Sequence, residues 1–301
     1  MQRTLRFESF EPGAVNRAYK VRVTASGKVV NSARVVTVLG GQALLATFLG
    51  GDPGRFVARE LDARGVPHEV VWTEDDAPTR TCATLISDGG PVTELVEEAL
   101  PVSEGDVAAL EEFVTKNLKE AQALCLIGSF PPGVPDDFYA RLTAAAREAG
   151  VRVLVDAQKA PLRAALEEGP FLVKPNLEEV AATLDLPDGE LDARAAVAAL
   201  TDAGARWALV STGVSGSLLG EDSGALWRVE PPRVEAINPI GSGDSMAAGI
   251  LLSLQRGASV PDAAVYGTAC AAANALTPTS GEVRPDDVDG MLSRVRLTQI
   301  V

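Results

Sequence analysis

The second half of the chain alternates short apolar runs with helical patterns. The apolar runs predict buried strands at 123–127, 151–155, 171–173 and 208–211. A helical pattern over 136–148 lies between the first two of these strands and ends before Gly150. Strand, helix and strand in this order predict a mostly parallel sheet with helices on both faces. Ligands bind such sheets beyond the carboxyl ends of the strands, so the loops there are the first candidates for chemistry.

The first hundred residues show a different pattern. Polar and apolar residues alternate over 19–23, 81–86 and 92–96, which is typical of half-exposed strands. Helical patterns at 30–39 and 54–64 lie between these segments, together with an apolar run at 43–51. The fold class is therefore α/β with a small β-sheet lid. The predicted core comprises 25–67 and 101–301, and the predicted discontinuous β-lid comprises 1–24 and 68–100.

Composition and charge further limit the possible partners and the expected location of the protein. The chain has 301 residues, of which 46% are hydrophobic, so it can bury a large core. Its formal net charge of −14 disfavours nucleic acid and anionic membranes as partners. Its three cysteines are scattered, which favours a reducing compartment. With no visible signal peptide and no bilayer-length apolar run, the expected location is cytoplasmic.

The segment Gly241-Ser242-Gly243-Asp244 precedes a clear helical pattern. Glycines permit a sharp turn, and the helix N-terminus behind them offers free N–H groups to an anion. Asp244 fits the base that takes a proton from a substrate hydroxyl. It equally fits a simple helix cap, and the local sequence leaves both interpretations open.

Two further segments carry candidate chemistry. Asn176 and Glu179 follow Lys174 and have the spacing of a capping box, yet they also suit hydrated Mg²⁺ at the end of a strand. Lys28 lies in a glycine turn that is not a P-loop. Like Arg80, it is either a substrate ligand or an exposed surface cation.

The single histidine removes several other chemistries. Because His68 is the only histidine in the sequence, a Ser-His-Asp triad is disfavoured and a multi-histidine metal site is excluded. The Gly241 segment also lacks the third glycine of a dinucleotide fingerprint.

Together these segments resemble the ribokinase-like (PfkB-type) carbohydrate kinases, most closely the branch of 1-phosphofructokinases and tagatose-6-phosphate kinases. The 241–245 segment resembles the family's C-terminal Gly-Ala-Gly-Asp signature. The 174–179 segment resembles the branch's segment after a central strand. The 128–135 segment resembles the Gly-Ser-x-Pro-x-Gly loop, and 211–216 resembles the nucleotide-binding turn.

The resemblance implies an ATP- and Mg²⁺-dependent kinase that phosphorylates a hydroxyl of a sugar or sugar phosphate. Asp244 would be the catalytic base, with Mg²⁺ ordered by Glu179 through water. A homodimer through the lid is also implied. The resemblance implies an anion hole formed by Gly241, Ser242 and Gly243. It implies that ATP binds to Lys174, Asn176, Ser211, Gly213, Gly216 and Asn274. The sugar substrate would bind to Gln2, Gly27, Lys28, Asn31 and Arg80.

Three departures from the branch lie on the acceptor side. The branch opens with a core strand ending Asn-Pro-Ala-x-Asp, whereas here Gln2 stands at the Asp position and the strand is expected to be absent. Its Gly-Gly-Lys-Gly-x-Asn motif reads Ser-Gly-Lys-Val-Val-Asn at 26–31. Acidic residues within 93–98 would repel a phosphosugar. The alternatives are therefore a kinase for an unphosphorylated sugar or nucleoside, and an inactive ligand-binding relative.

Overall fold

The computed structural model describes residues 1–73, 77–185 and 191–300. The strands are β1 (Gln2–Phe7), β2 (Lys20–Thr24), β3 (Leu45–Leu49), β4 (His68–Trp72), β5 (Cys82–Ser87), β6 (Val92–Val96), β7 (Ala123–Ile127), β8 (Arg152–Asp156), β9 (Leu172–Val173), β10 (Trp207–Ser211), β11 (Ser217–Glu221), β12 (Leu226–Glu230) and β13 (Arg296–Ile300). The α-helices are α1 (Lys28–Val38), α2 (Gly51–Ala63), α3 (Glu104–Asn117), α4 (Phe138–Glu148), α5 (Lys159–Glu167), α6 (Leu177–Thr183), α7 (Ala193–Asp202), α8 (Ser242–Gln255), α9 (Val260–Ala275) and α10 (Pro285–Leu292).

The main sheet has the strand order β13-β12-β11-β10-β9-β8-β7. Strands β7 to β10 are parallel, and β10 to β13 pair antiparallel. Strand β8 shows why its sequence is apolar throughout: Val153 and Val155 pack into one core cluster while Leu154 packs into the cluster on the other face. A strand buried on both faces has no polar alternation. The predicted α/β sheet with helices on both faces is confirmed, with an antiparallel extension at one edge.

A separate four-stranded sheet has the order β2-β1-β5-β6 and corresponds to the predicted lid. The register places Gln2, Cys82 and Val96 in one row on one face, and all three line the large cleft of the molecule. Val23 and Leu95, in the next row, point to the opposite face and are exposed. The alternation in the sequence therefore separates a face towards the cleft from a face towards solvent.

Strand β4 differs from the sequence expectation. The alternating pattern from residue 68 onwards assigned it to the lid, but His68–Trp72 pairs parallel with β3 instead. Its alternation arises because the β3–β4 pair forms a two-stranded sheet with partly exposed side chains. No strand of the described residues pairs with the other edge of β3 or with the outer edge of β7.

The starts of α1 and α2 were predicted slightly late, and that of α4, predicted at residue 136, slightly early. α1 begins at Lys28 instead of residue 30, because Gly27 with φ 144° turns the chain directly into the helix. α2 begins at Gly51 instead of residue 54. Across the described residues, every helix is too short or too polar to cross a bilayer.

Candidate active site

A cleft lies where the carboxyl ends of the parallel strands meet the N-termini of α1 and α8, and it belongs to a cavity of about 2180 Å³. Most residues proposed from the sequence line it: Gln2, Gly27, Lys28, Asn31, Arg80, Lys174, Asn176, Glu179, Ser211, Gly213, Gly241, Gly243 and Asp244. Three others, Ser242, Gly216 and Asn274, are not among its lining residues.

Asp244 lies in the first turn of α8, and its side chain is buried. Asn31 on α1 donates a hydrogen bond from Nδ2 to Asp244 Oδ2 at 2.8 Å. The neighbouring Ser32 donates from Oγ to the Asp244 carbonyl oxygen at 3.0 Å. The carboxylate therefore has one oxygen anchored by a neutral donor, and it has no ion-pair partner within 4 Å among the described residues.

Burial raises the pKa of Asp244 to about 6. The hydrogen bond from Asn31 acts to lower it, the nearby Asp156 carboxylate raises it, and Lys28 and Lys174 lower it. A carboxylate with a pKa near 6 is largely ionised at pH 7, yet it is a stronger base than a free aspartate.

The turn before α8 fits an anion. Gly241 has φ 84°, and a Cβ there would lie 2.6 Å from the Gly281 nitrogen, so this position requires glycine. The Ser242 N–H donates to the Pro239 carbonyl at 3.1 Å and is therefore already used. The N–H groups of Gly243 and Asp244, in the first helical turn, have no intrahelical acceptor. The donors for an anion thus centre on Gly243 and Asp244, with Ser242 contributing to the turn.

Two lysines and two carboxylates form a chain of ion pairs beside this turn. Lys174 Nζ lies 2.7 Å from Asp156 Oδ2, and both side chains are buried. Lys28 Nζ lies 3.7 Å from Asp156 Oδ1 and 3.4 Å from Glu179 Oε1. Burial acts to lower the pKa of Lys28, but Asp156 and Glu179 outweigh it, so its pKa is raised. Both lysine side chains line the cleft, and each is paired with Asp156.

Asp156 is the site residue that the sequence reasoning missed. It is the last residue of β8, so it lies at the carboxyl edge of the sheet, where ligands bind. A lone acidic residue directly after a buried strand was the available signal. Without knowledge of the strand order, nothing in the sequence joined it to Lys174.

The capping interpretation of Asn176 and Glu179 is correct. Asn176 Oδ1 accepts from the Glu179 N–H at 2.7 Å, and Glu179 Oε2 accepts from the Asn176 N–H at 2.9 Å. A bridge between Asn176 and Ser211 brings both residues to the edge of the sheet. Since Glu179 Oε1 faces Lys28, capping does not remove Glu179 from the cleft.

Gly216 and Asn274 shape turns beside the cleft and are not among its lining residues. A Cβ on Gly216 would lie 2.5 Å from the Val229 carbonyl oxygen, so this glycine permits the turn into β11. Asn274 is fully buried, donates from Nδ2 to the Ile240 carbonyl at 3.0 Å and accepts from the Gly281 N–H at 2.8 Å. Asn274 therefore holds the 240–245 turn from behind.

The four-stranded sheet supplies the other wall of the cleft. Gln2 is buried and donates from Nε2 to Thr84 Oγ1 at 2.5 Å. Glu94 lies in the same row as Thr84 and lines the cavity together with Arg80. Partial burial raises the pKa of Glu94, and Arg80 acts to lower it. Of the predicted acidic stretch, Glu94 is thus the residue that reaches the cleft.

Comparison with known proteins identifies the family. Residues 1–287 match the pfkB family carbohydrate kinase. Two structures of Escherichia coli phosphofructokinase-2, one with fructose-6-phosphate and one a tetrameric inhibited form, are each 27% identical with a TM-score of 0.85. Each comparison covers 97% of this chain and 95% of the other. A Thermotoga maritima protein described as a possible 1-phosphofructokinase is 22% identical, with a TM-score of 0.88 over 100% of this chain and 96% of that one. The chain belongs to the pfkB family of carbohydrate kinases and is a phosphotransferase with an alcohol acceptor.

Proposed function

We propose that Asp244 is the general base of this sugar or sugar-phosphate kinase, and that it removes a proton from the acceptor hydroxyl as the γ-phosphoryl group of ATP is transferred. The observation that carries the proposal is the position of Asp244: a buried carboxylate in the cleft, on the same helical turn as free N–H donors, and without a cation paired to it. A base paired tightly with a lysine would have a lowered pKa and would accept a proton less readily.

The charge of the transferring group would be stabilised by the same turn. Transfer of a phosphoryl group spreads negative charge over its oxygens, and catalysis depends mainly on position and electrostatics. The N–H groups of Gly243 and Asp244 are proposed to face those oxygens, with Gly241 and Ser242 forming the turn that presents them. Lys174 supports this proposal because its ammonium group lies beside Gly243. A Cβ built on Gly243 would be 3.5 Å from Lys174 Nζ.

The nucleotide would lie along the carboxyl edge of the main sheet. Asn176, Ser211 and Gly213 line the cleft there. Gly216 and Asn274 are proposed to act indirectly, by shaping the nucleotide turn and the 240–245 turn.

Magnesium is proposed to bind with the nucleotide. Mg²⁺ usually takes one or two carboxylates together with phosphate oxygens and water. Across the described ranges, no group of three or more acidic, cysteine or histidine side chains could hold an ion alone. Glu179 and Asp156 offer hard oxygen donors at the cleft, which fits an ion that arrives with ATP phosphates. Glu179 would then contact the ion through water, and the ion would neutralise charge on the phosphates.

The acceptor is proposed to bind between the four-stranded sheet and α1. Gln2, Gly27, Lys28, Asn31 and Arg80 line this side. Arg80 suits an acceptor phosphate, and the structure of E. coli phosphofructokinase-2 with fructose-6-phosphate favours a phosphorylated acceptor by similarity. Glu94 in the same wall favours the second candidate, a kinase for an unphosphorylated sugar or nucleoside, because a carboxylate repels a phosphate.

An acceptor screen separates these candidates. The wild-type chain and the Asp244→Asn and Glu94→Gln variants are assayed for Mg²⁺-dependent ATP consumption with phosphorylated sugars, unphosphorylated sugars and nucleosides. We expect Asp244→Asn to lose turnover while it still binds ATP; an unchanged rate would rule out Asp244 as the base. If Glu94→Gln raises kcat/KM only for phosphorylated acceptors, Glu94 discriminates against them. Saturable sugar binding without turnover of any acceptor would identify an inactive relative.

We also propose a homodimer through the predicted lid. Val21, Val23 and Leu95 are exposed side chains on the sheet face that turns away from the cleft. Such an apolar patch on a sheet is typical of a subunit interface. Val23→Asp is expected to convert a dimer to a monomer in sedimentation velocity, whereas the control Val15→Asp, at an exposed residue outside the sheet, should leave the dimer intact. A wild-type chain that sediments as a monomer at all concentrations would contradict this proposal.

The division into a core of 25–67 and 101–301 and a lid of 1–24 and 68–100 remains a proposal. Its weakest boundary is at residue 68, since β4 pairs with β3 of the proposed core. Limited proteolysis that cuts near 73–81 before it cuts near 64–67 would move the boundary to the end of β4.

A further inference from the structure

The loop between α9 and α10 packs tightly against two parts of the active site. Residues 277–282 of this loop are called the supporting loop here. A Cβ built on Gly281 would lie 2.4 Å from Asn31 Cβ, and a Cβ built on Gly241 would lie 2.6 Å from the Gly281 nitrogen. The Gly281 N–H also donates to Asn274 Oδ1 at 2.8 Å. The supporting loop therefore fixes the start of α1 and the 240–245 turn relative to each other.

This packing reaches the proposed base through a single side chain. Asn31 donates from Nδ2 to Asp244 Oδ2 at 2.8 Å, and Asn31 Oδ1 accepts from Ser26 Oγ at 3.1 Å. Because Gly281 lies directly against Asn31, a shift of the supporting loop would move the donor that anchors Asp244. A displacement well below 1 Å changes such a hydrogen bond, since its strength depends steeply on geometry.

The supporting loop is braced internally by a buried threonine. The Thr277 hydroxyl lies 2.9 Å from the Thr279 carbonyl oxygen, 3.0 Å from that of Asn274 and 3.3 Å from that of Glu282. One hydroxyl thus joins the end of α9 to both halves of the loop. A contact made at Thr279 or Glu282 is therefore passed on to Gly281, which lies between them.

Arg22 of β2 makes such a contact. Its Nη1 donates to Thr279 Oγ1 at 2.8 Å and to Glu282 Oε2 at 3.2 Å. The Arg22 and Glu282 side chains are 45% and 37% exposed, so their ion pair adds little to stability. Thr279, in contrast, is buried. The contact therefore fixes the position of the loop against the strand more than it stabilises the fold.

The register of the four-stranded sheet places Arg22 in the same row as the acceptor wall. Arg22 pairs with Thr4, Thr4 with Thr84, and Thr84 with Glu94. Glu94 lines the cavity, and the neighbouring Gln2 donates to Thr84 Oγ1. One row of residues thus runs from the proposed acceptor wall to the cation that contacts the supporting loop.

We propose that Arg22 is a positioning residue: it holds the supporting loop against the four-stranded sheet and thereby keeps Asn31 and Asp244 aligned for catalysis. The proposal rests on the role proposed above for Asp244. It assigns Arg22 no contact with substrate, so its effect falls on the rate of transfer and not on nucleotide binding.

The test compares three variants of the full chain. Arg22→Met keeps most of the apolar stem and removes the guanidinium. Arg22→Lys restores a cation at this position. Lys20→Met is the matched control, because Lys20 is an exposed cation on the same face of the same strand. Each protein is measured for kcat with the best acceptor of the screen, for the dissociation constant of ATP by calorimetry, for Tm, and for hydrogen exchange of the Gly281 amide without substrate.

Arg22→Met is expected to lower kcat about 10-fold and to speed exchange of the Gly281 amide at least about 10-fold, with the dissociation constant of ATP unchanged. Arg22→Lys should recover part of both losses, and Lys20→Met should match the wild type. A second variant, Thr279→Val, removes the partner of Arg22. If both act through this one contact, the double variant with Arg22→Met should have the same kcat as Arg22→Met alone.

Unchanged Gly281 exchange in Arg22→Met would overturn the proposal, as would an equal loss of kcat in Lys20→Met. A loss of kcat that follows a fall in Tm and is not recovered by Arg22→Lys would show a merely structural role and would also overturn it. Failure of the proposed base is distinguishable from these results. Asp244→Asn would then keep its turnover, whereas the Gly281 exchange still reports whether Arg22 holds the supporting loop.

Discussion

The buried base predicts a stability gain when catalysis is removed. Asp244 is 7% exposed and unpaired with a cation, and its pKa rises from 3.8 to about 6 on folding. The folded state therefore holds the proton more tightly than the unfolded state. Stability falls as pH rises from about 4 to about 6, and the full cost of the ionised form is present above that range. Asp244→Asn removes this cost and keeps an oxygen that can accept from Asn31.

The magnitude follows from the two pKa values. At pH 8 a difference of about 2 units corresponds to about 3 kcal/mol, and at pH 5 the cost is about 1.6 kcal/mol. The advantage of Asp244→Asn over the wild type in free energy of unfolding should therefore grow by about 1.4 kcal/mol between pH 5 and pH 8. It should then remain constant above pH 7.

The assay is guanidinium unfolding of both proteins at several pH values from 5 to 8.5. Asp185→Asn serves as the matched control, because Asp185 is a largely exposed carboxylate paired with Arg163. Its effect should stay within about 0.5 kcal/mol at every pH. A stability difference between wild type and Asp244→Asn that does not change with pH would refute the buried, raised-pKa description. Turnover of this variant should fall about 10²- to 10⁴-fold.

Three further predictions follow from contacts in the site. Asp156→Asn leaves the buried Lys174 ammonium unpaired and should lower the free energy of unfolding by about 3–5 kcal/mol in guanidinium titrations, a loss that adding Lys174→Met largely reverses. Glu179→Gln keeps the cap but removes the charge, so the Mg²⁺ concentration for half-maximal rate should rise about 10-fold while Tm is unchanged. Gly281→Ala, at φ 62°, places a Cβ 2.4 Å from Asn31 and should lower kcat about 100-fold with little change in the dissociation constant for ATP measured by calorimetry.

The parts of the site that the sequence predicted are those with local signals. The turn at 241–244 was recognisable because glycines, an acidic residue and a helical pattern follow one another directly. The cap formed by Asn176 and Glu179 was recognisable from a spacing of three residues. In each case the interacting atoms are separated by less than one helical turn, so sequence distance and spatial distance agree.

The parts that escaped prediction depend on long-range pairing. Asp156 meets Lys174 because β8 and β9 are parallel neighbours, and the sequence states neither that order nor the register. The assignment of β4 to the lid failed for the same reason, since alternation shows that a strand is half-exposed without showing which strand it pairs with. The resemblance to a family supplied the overall fold but did not name Asp156.

The structure divides the active site into two halves with different support. The proposed nucleotide half rests on β8, β9 and β10, which are paired on both edges within the main sheet. The proposed acceptor half rests on β1, α1 and the β3–β4 pair, and the unpaired edges of β7 and β3 lie directly beneath it. Gln2 and Glu94, which leave the acceptor's identity open, belong to this half. Because the two halves rest on different sheets, a change in the acceptor wall at Gln2 or Glu94 leaves the strands that carry the proposed nucleotide wall in place.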